Sequence, residues 1–338
     1  MTGILTLDRQ PFVSVVVTTF NQAPYIGPAL ESVFRQSYGS YEVIVIDDGS
    51  TDETPRVLAP FESKIIHVRQ ANQGVAGARN RGVSKARGEL VAFLDGDDLW
   101  EPNKLASQVA AAVANPQSGL IVTDGVQFDG TQIIEESLIG PSERQFLDAD
   151  GGVTTISEAH RKLLAWNFIS SVSQVMMPRA VLESIGPSDT SFALVSDWDL
   201  YLRISRLYPV SVIGGKLVRW RYLPSSASGP EALRRLRWGV EGLSLRRKHL
   251  RFSSRELQGF LRRVLRTQAF TIAQGAYLYG LETDRPLAAK ILRRLLLKPY
   301  AALPAASFLL ALYTPRIVTA ALGPFVRALL GARPPTHR

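Results

Sequence analysis

Residues 90–98 read Leu-Val-Ala-Phe-Leu-Asp-Gly-Asp-Asp, a short apolar run that stops abruptly at three carboxylates. An apolar run of this length suits a strand buried on both faces, the pattern of a parallel sheet. Three earlier runs repeat the design: residues 13–19 (VSVVVTT), residues 43–46 (VIVI, ending at Asp47-Asp48-Gly49) and residues 65–68 (IIHV). Ile26, Leu30, Val33 and Phe34 stand at helical spacing after the first run, and Ser50 with Glu53 fits a capping box after the second. A Gly/Ala/Arg-rich segment over 74–88, a helix around 103–114 and a strand around 119–123 continue the alternation. Strand and helix at this pace predict an α/β fold built from βαβ units on a mainly parallel sheet. In such sheets ligands sit beyond the carboxyl ends of the strands. Residues 18–21, Asp48 and residues 95–98 all fall there, so the pattern predicts one shared cleft.

Farther along, residues 171–177 read as a strand, helices are expected from Pro178 and from Asp197, and Gly214-Gly215 interrupts the next apolar stretch. The stretch 224–230 (PSSASGP) is the expected domain boundary. It separates an α/β domain, 1–229, from a nearly all-helical extension, 230–338. The charges divide at the same place. Residues 231–338 hold 20 Lys+Arg against 5 Asp+Glu, whereas residues 1–230 hold 19 against 25. An acidic front and a basic back serve different partners. The absence of cysteine excludes disulfide scaffolds, thiolate zinc sites, iron–sulfur clusters and cysteine nucleophiles. His67, His160, His249 and His337 are too scattered to build a metal site. The opening MTGILTLDRQ lacks the pattern of a signal peptide, so a cytosolic location is expected.

Three carboxylates in four residues repel one another and call for a cation or several hydrogen-bond donors. Oxygen ligands without His or Cys select hard ions such as Mg2+ or Mn2+, which complete their shells with phosphate oxygens and water. Asp95, Asp97 and Asp98 thus fit a metal–diphosphate site, and equally an ordinary acidic turn. The EF-hand positions are not met. Asp48 suits a tight turn or an acceptor for a ligand N–H. The glycine-rich run GVAGARNRG (74–82) matches neither the dinucleotide fingerprint nor the P-loop, which argues against an oxidoreductase and a P-loop NTPase.

Taken in order, VSVVVTTFNQAPYI, SVFRQSY, VIVIDDGSTDET, NQGVAGARNRG and GELVAFLDGDDLWEPNKL closely resemble the family 2 glycosyltransferases of the GT-A fold over about residues 12–105, and more weakly to residue 229. The resemblance implies a nucleotide-sugar half, 1–115, and an acceptor half, 116–229. It places Thr18, Phe20 and Asn21 at the nucleotide, with the Phe20 ring on the base. It has Asp48 accept from a base N–H, which suits a uridine or thymidine diphosphate sugar. Gly74 and Arg79 border the nucleotide, Asp95 holds the ribose side, and Asp97, with Asp98 as a second contributor, holds a divalent metal. In Ser196-Asp197-Trp198-Asp199, Asp197 matches the catalytic base and Trp198 packs beside the acceptor. Two positions depart from the family. Ser196 replaces an acidic residue, although serine there makes a good N-cap, and Leu223 replaces a histidine that reaches the metal or diphosphate. Arg219 or Arg221 is a candidate for compensating charge.

The implied activity is an inverting hexosyltransferase that moves sugar to a glycan or lipid-linked hydroxyl in polysaccharide or glycolipid synthesis. The alternatives are a nucleotidyltransferase on a similar sheet and a non-catalytic nucleotide-sugar binder. In the basic extension, Leu257, Phe260, Leu261, Val264 and Leu265 oppose Arg262, Arg263 and Arg266. Leu287, Ile291, Leu292, Leu295 and Leu296 likewise oppose Lys290, Arg293 and Arg294. Such stripes suit helices lying on the anionic inner face of the cell membrane, or helices packed on one another. Prolines and arginines interrupt 301–313 and 317–330, so no spanning helix is expected. No nucleic-acid motif is present.

Overall fold

In the computed structural model of the chain, the described residues are 10–145, 147, 152–223, 231–282, 285–296 and 302, 305, 306, 308 and 309. They divide into two compact units, residues 1–226 and 227–338.

The first unit runs β1 Val13–Thr19, α1 Ala23–Phe34, β2 Tyr41–Asp47, α2 Thr54–Leu58, β3 Ile66–Arg69, α3 Gly74–Lys85, β4 Leu90–Asp95, β5 Leu99–Trp100 and α4 Lys104–Ala114. It continues with β6 Leu120–Phe128, β7 Ile133–Glu135, α5 Pro141–Arg144, β8 Val153–Thr155, α6 Ala159–Ala165, β9 Val175–Pro178, α7 Arg179–Ile185, α8 Ser196–Ser205 and β10 Val210–Arg221. One sheet gathers the strands in the order β3-β2-β1-β4-β9-β6-β10-β5, with β7 on β6 and β8 on β10. β1, β2, β3 and β4 are parallel, as are β6 and β10. β9 enters antiparallel between β4 and β6, a reversal that the apolar reading of 171–177 did not carry.

The β-branched runs are in the middle because that is where both faces are covered. Val13, Val15, Val16, Val17, Val45, Leu90, Val91 and Leu94 are fully buried, each contributing about 1.5–3 kcal/mol by leaving water. Helix α3 packs so closely on β1 that a β-carbon on Gly82 would collide with Val16. Two capping expectations are corrected. Ser50 does not start α2: its hydroxyl accepts from Asn21 N at 2.9 Å, and Glu53 itself occupies the N-cap position without a side-chain bond. Ser196 is the first helical residue of α8, and Val195 precedes it as the N-cap.

The second unit holds α9 Glu231–Leu250, α10 Arg255–Glu282 and α11 Arg285–Leu296. Its apolar stripes face each other. Leu236, Leu243, Leu265, Ala269, Ile272, Leu292 and Leu295 form one buried core. Packing between helices therefore accounts for these residues, and Arg262, Arg263, Arg266, Lys290 and Arg293 remain exposed. No described helix is long and apolar enough to cross a membrane. Boundary segment 224–230 and nearly all of 301–313 and 317–330 lie outside the described residues.

Candidate active site

The strand order reverses direction at the neighbours β1 and β4, the kind of switch point at which an open α/β sheet leaves a crevice. Thr18 and Asp95 are register partners there, and Thr18 Oγ1 donates to Asp95 Oδ1 at 3.2 Å. From α3, Arg79 Nη2 donates to both Asp95 oxygens, at 2.9 and 3.1 Å. Arg79 is 9% exposed. Burial works against its charge, but Asp95 and then Asp197 outweigh it and hold the guanidinium above its ordinary range. Asp95 thus bonds this buried cation directly, and Asp197 of α8 acts on it through charge.

Loops after β1 and β2 are laced together. Asn21 takes a left-handed backbone, φ 52°, a conformation that Asn tolerates better than most residues. Its Oδ1 accepts from Thr51 N at 2.7 Å and Asp52 N at 3.3 Å. This bracing leaves the neighbouring Phe20 ring 44% exposed at the mouth of the strand ends. Asp47 Oδ1 accepts from Ser50 N, while Arg69 Nη2 donates to Ser50 O. The turn holds Asp48 in place, and its Oδ1 accepts from Gln70 Nε2 at 2.7 Å and Gln73 N at 2.9 Å. Gly74 opens α3 directly afterwards, with φ 75°.

The acidic turn sorts its carboxylates. At Gly96 a β-carbon would stand 2.6 Å from Gln22 Oε1 and 3.1 Å from the Thr18 carbonyl, so a side chain there would have to displace Gln22 and crowd the turn. Asp97 is pushed up to about 6 by burial and by neighbouring Asp95, against the pull of Arg221 and Gln22. Asp98 is 1% exposed and has both oxygens engaged. Ser171 and Ser173 hydroxyls donate to Oδ2 at 3.1 and 2.6 Å, and Arg221 N to Oδ1 at 2.9 Å. Burial first, then Asp97 and Asp95, raises Asp98 well above the usual carboxylate range. Asp98 is therefore built into the turn as an anchor, in place of the second metal contributor expected from sequence. Arg221 Nε donates to Asp97 O at 2.8 Å, and its guanidinium lies over the rings of Tyr25 and Phe128. Arg219 is paired elsewhere, with Glu101.

A half-buried, repelled carboxylate with oxygen neighbours fits a hard divalent ion that brings its own phosphate and water ligands. Among the described residues no group of three acids or histidines could hold a metal by itself, so Asp97 fits as an anchor for a metal–diphosphate pair, short of a complete cage.

Asp197 stands in the first turn of α8, its pKa raised by burial against the opposing charge of Arg79. The indole of Trp198 does not pack beside an acceptor. It is fully buried, with Nε1 donating to Leu163 O at 2.8 Å, and has no surface left to offer a ligand. Sequence reading missed Arg221 as the clasp of the acidic turn, and missed Ser171 and Ser173 altogether. The serines gave no signal, because their role depends on β9 entering beside β4.

Residues 14–161 match the family described as Glycosyl transferase family 2. The chain is 34% identical over 182 residues to an uncharacterized glycosyltransferase of Nostoc sp., covering 52% of this chain and 54% of that protein. It is 37% identical over 139 residues to the putative teichuronic acid biosynthesis glycosyltransferase TuaG of Bacillus subtilis, covering 38% of this chain and 55% of that protein. The chain thus spans little more than half the length of these curated relatives. Among solved structures, the mannosyltransferase PcManGT of Pyrobaculum calidifontis, in complex with GDP-Man and Mn2+, superposes with a TM-score of 0.58 at 22% identity. That match covers 93% of this chain and 89% of the other. TarS 1–349 of S. aureus, in complex with UDP-GlcNAc, gives 0.55 at 16% identity over 90% and 92% of the two chains.

Proposed function

The chain carries a family 2 glycosyltransferase domain on the GT-A fold, and from that premise we propose that it is an inverting hexosyltransferase. It moves a sugar from a nucleoside diphosphate to a hydroxyl of a glycan or lipid-linked acceptor. One observation carries the reading: Arg79 bonds Asp95 at the strand ends and lines one cavity with Asp197, so the proposed nucleotide side and base side meet at one cluster. The relatives support a sugar nucleotide as donor, since two structural neighbours are complexes with GDP-Man and UDP-GlcNAc. Asp48, with Oδ1 committed to Gln70 and Gln73, supports uracil or thymine through its other oxygen.

In this mechanism Phe20 stacks on the base, while Thr18 and Asp95 orient the ribose. Asp97 would hold a divalent ion, Mn2+ or Mg2+, which when bound would supply positive charge for the diphosphate leaving group. Asp197 takes the proton of the acceptor hydroxyl as its oxygen attacks the anomeric carbon from the far side, inverting it. Burial suits the task, because a carboxylate raised from its usual range binds a proton more readily. The exposed cations Arg262, Arg263, Arg266, Lys290 and Arg293 support a peripheral role at the anionic cytosolic face of the membrane, through charge alone.

A thermal-shift panel of UDP, dTDP and GDP sugars, with and without Mn2+, followed by product analysis, tests the reading. Metal-dependent stabilisation by one donor and release of free nucleoside diphosphate are expected. Pyrophosphate as product means a nucleotidyltransferase, and stabilisation without turnover above an Asp197→Asn control means a binding protein.

A further inference from the structure

Asp197 is a half-buried carboxylate served by its own helix: Trp198 N donates to Oδ1 at 2.7 Å. Two buried donors that have no partner among the described residues, Nε of Arg79 and the hydroxyl of Tyr201, belong to side chains coupled to it by charge. Tyr201 lies one helical turn beyond Asp197 on the same face of α8, is fully buried, and feels the Asp197 charge directly. Arg79 and Asp197 line a common cavity of about 260 Å3 with Asn80, Phe93 and Leu182. Its wall is rigid. Asn80 exchanges two hydrogen bonds with the Ser188 backbone, while Arg203 grips the carbonyls of Ile185, Gly186 and Pro187. An unpartnered buried polar atom is a cost to folding, and two of them on side chains coupled to one carboxylate ask for a use.

We propose that Arg79 and Tyr201 are positioning residues for Asp197. Arg79, anchored to Asp95 through Nη2, keeps its Nε–H, and Tyr201 its O–H, uncommitted among the described residues and available to the ionised carboxylate that abstracts the acceptor proton. The other charged groups packed on α8 are already engaged. Glu183 of α7 is paired with Arg179, and His160 of α6 with Ser205. Asp124 of β6 accepts from Ser137 and the backbone of Leu138. Asp95 reaches Asp197 only as a charge, and Arg79 stands against it.

This proposal rests on Asp197 being the base, and its test is read without turnover. In protein labelled with 13C at the Asp carboxyls, the resonance lost in Asp197→Asn identifies the group and its titration midpoint. Tyr201→Phe keeps the ring and removes the unpartnered hydroxyl, so its melting temperature is unchanged or higher. Its Asp197 midpoint is expected to rise by about one pH unit, because a donor to the charged form is lost. Arg79→Lys, which keeps the charge and loses Nε–H, is expected to shift it in the same direction. Where a donor sugar is turned over, kcat of Tyr201→Phe falls about tenfold with KM unchanged, and the acid limb of the rate profile moves up in step. Unmoved midpoints in both variants overturn the proposal even if sugar is transferred. Shifted midpoints in a protein that transfers no sugar uphold the coupling and remove the glycosyltransferase reading instead.

Discussion

The two units of the chain differ in how much charge they bury and in its sign. In residues 227–338 the apolar stripes close on one another, and Arg262, Arg263, Arg266, Lys290 and Arg293 stay in solvent. In residues 1–226 Asp48, Asp98 and Arg79 are buried, and Asp97 and Asp197 are desolvated with raised pKa. The helical unit leaves those cations outside but also buries Arg246 of α9, whose pKa burial lowers to about 9. The sheet unit buries Glu42, Asp124, Glu143 and Asp199 singly, each hydrogen-bonded, and crowds several acids together at the strand ends, a cost of the kind retained where chemistry needs it. Substituting Asp97 should therefore move activity and stability in opposed directions, substituting the fully bonded Asp98 should lower both, and changes in the helical unit should move stability alone or surface binding alone.

The largest effect is expected at the base. Asp197→Asn should lower kcat by about 10²–10⁴ while donor affinity stays within a factor of about two. Nucleoside diphosphate release and a thermal-shift titration read the two halves, and wild-type turnover would remove the contrast. Next, Asp98→Ala strands two serine hydroxyls and the Arg221 N–H around an empty site, and should cost about 3 kcal/mol in urea unfolding. Leu265→Ala, its counterpart in the helical core, should cost about 2–5 kcal/mol with no change in donor affinity. Equal loss of donor binding in both would show that the units are not separable in this way.

Asp97 gives a signed pH test. Its folded pKa of about 6 lies above the unfolded value near 3.8, so the native state binds the proton more tightly. Stability of the metal-free protein should fall as pH rises from about 4 to about 6 and then level off. Asp97→Asn should flatten that slope, stabilise the metal-free protein by about 2 kcal/mol at pH 7, and abolish the Mn2+ increment in donor binding. The smallest effect on stability belongs to the exposed cations. Replacing Arg262, Arg263 and Arg266 by Gln should change unfolding by about 0.5 kcal/mol or less. The same variant should weaken binding to phosphatidylserine vesicles by about 1 kcal/mol per arginine. Undiminished vesicle binding would take those residues out of the membrane reading.

The front of the sheet was legible because each βαβ unit announces itself locally: an apolar run, a turn of Asp and Gly, a helix-spaced stripe. The observed β1, β2 and β4 lie where the runs predict, and Asp48, Asp95 and Asp97 stand at their ends. The illegible part depends on partners far away in the chain. Three acids in a row do not say which one turns inward, and Asp98 is settled only by Ser171 and Ser173, more than 70 residues on. An indole inside a polar stretch does not say whether it meets a ligand or the core, and Trp198 is settled by α6. A stripe of leucines opposite arginines does not name what covers it, and here the neighbouring helix does.

Arg221 closes the last strand of the sheet and, in the same residue, clasps the carbonyl of Asp97 and the carboxylate of Asp98. The sheet unit therefore has no idle final segment. Anyone shortening this protein or splicing a reporter into it has to keep the strand through Arg221 whole. A graft two positions earlier unfastens the acidic turn, and a graft beyond Leu223 leaves its fastening alone.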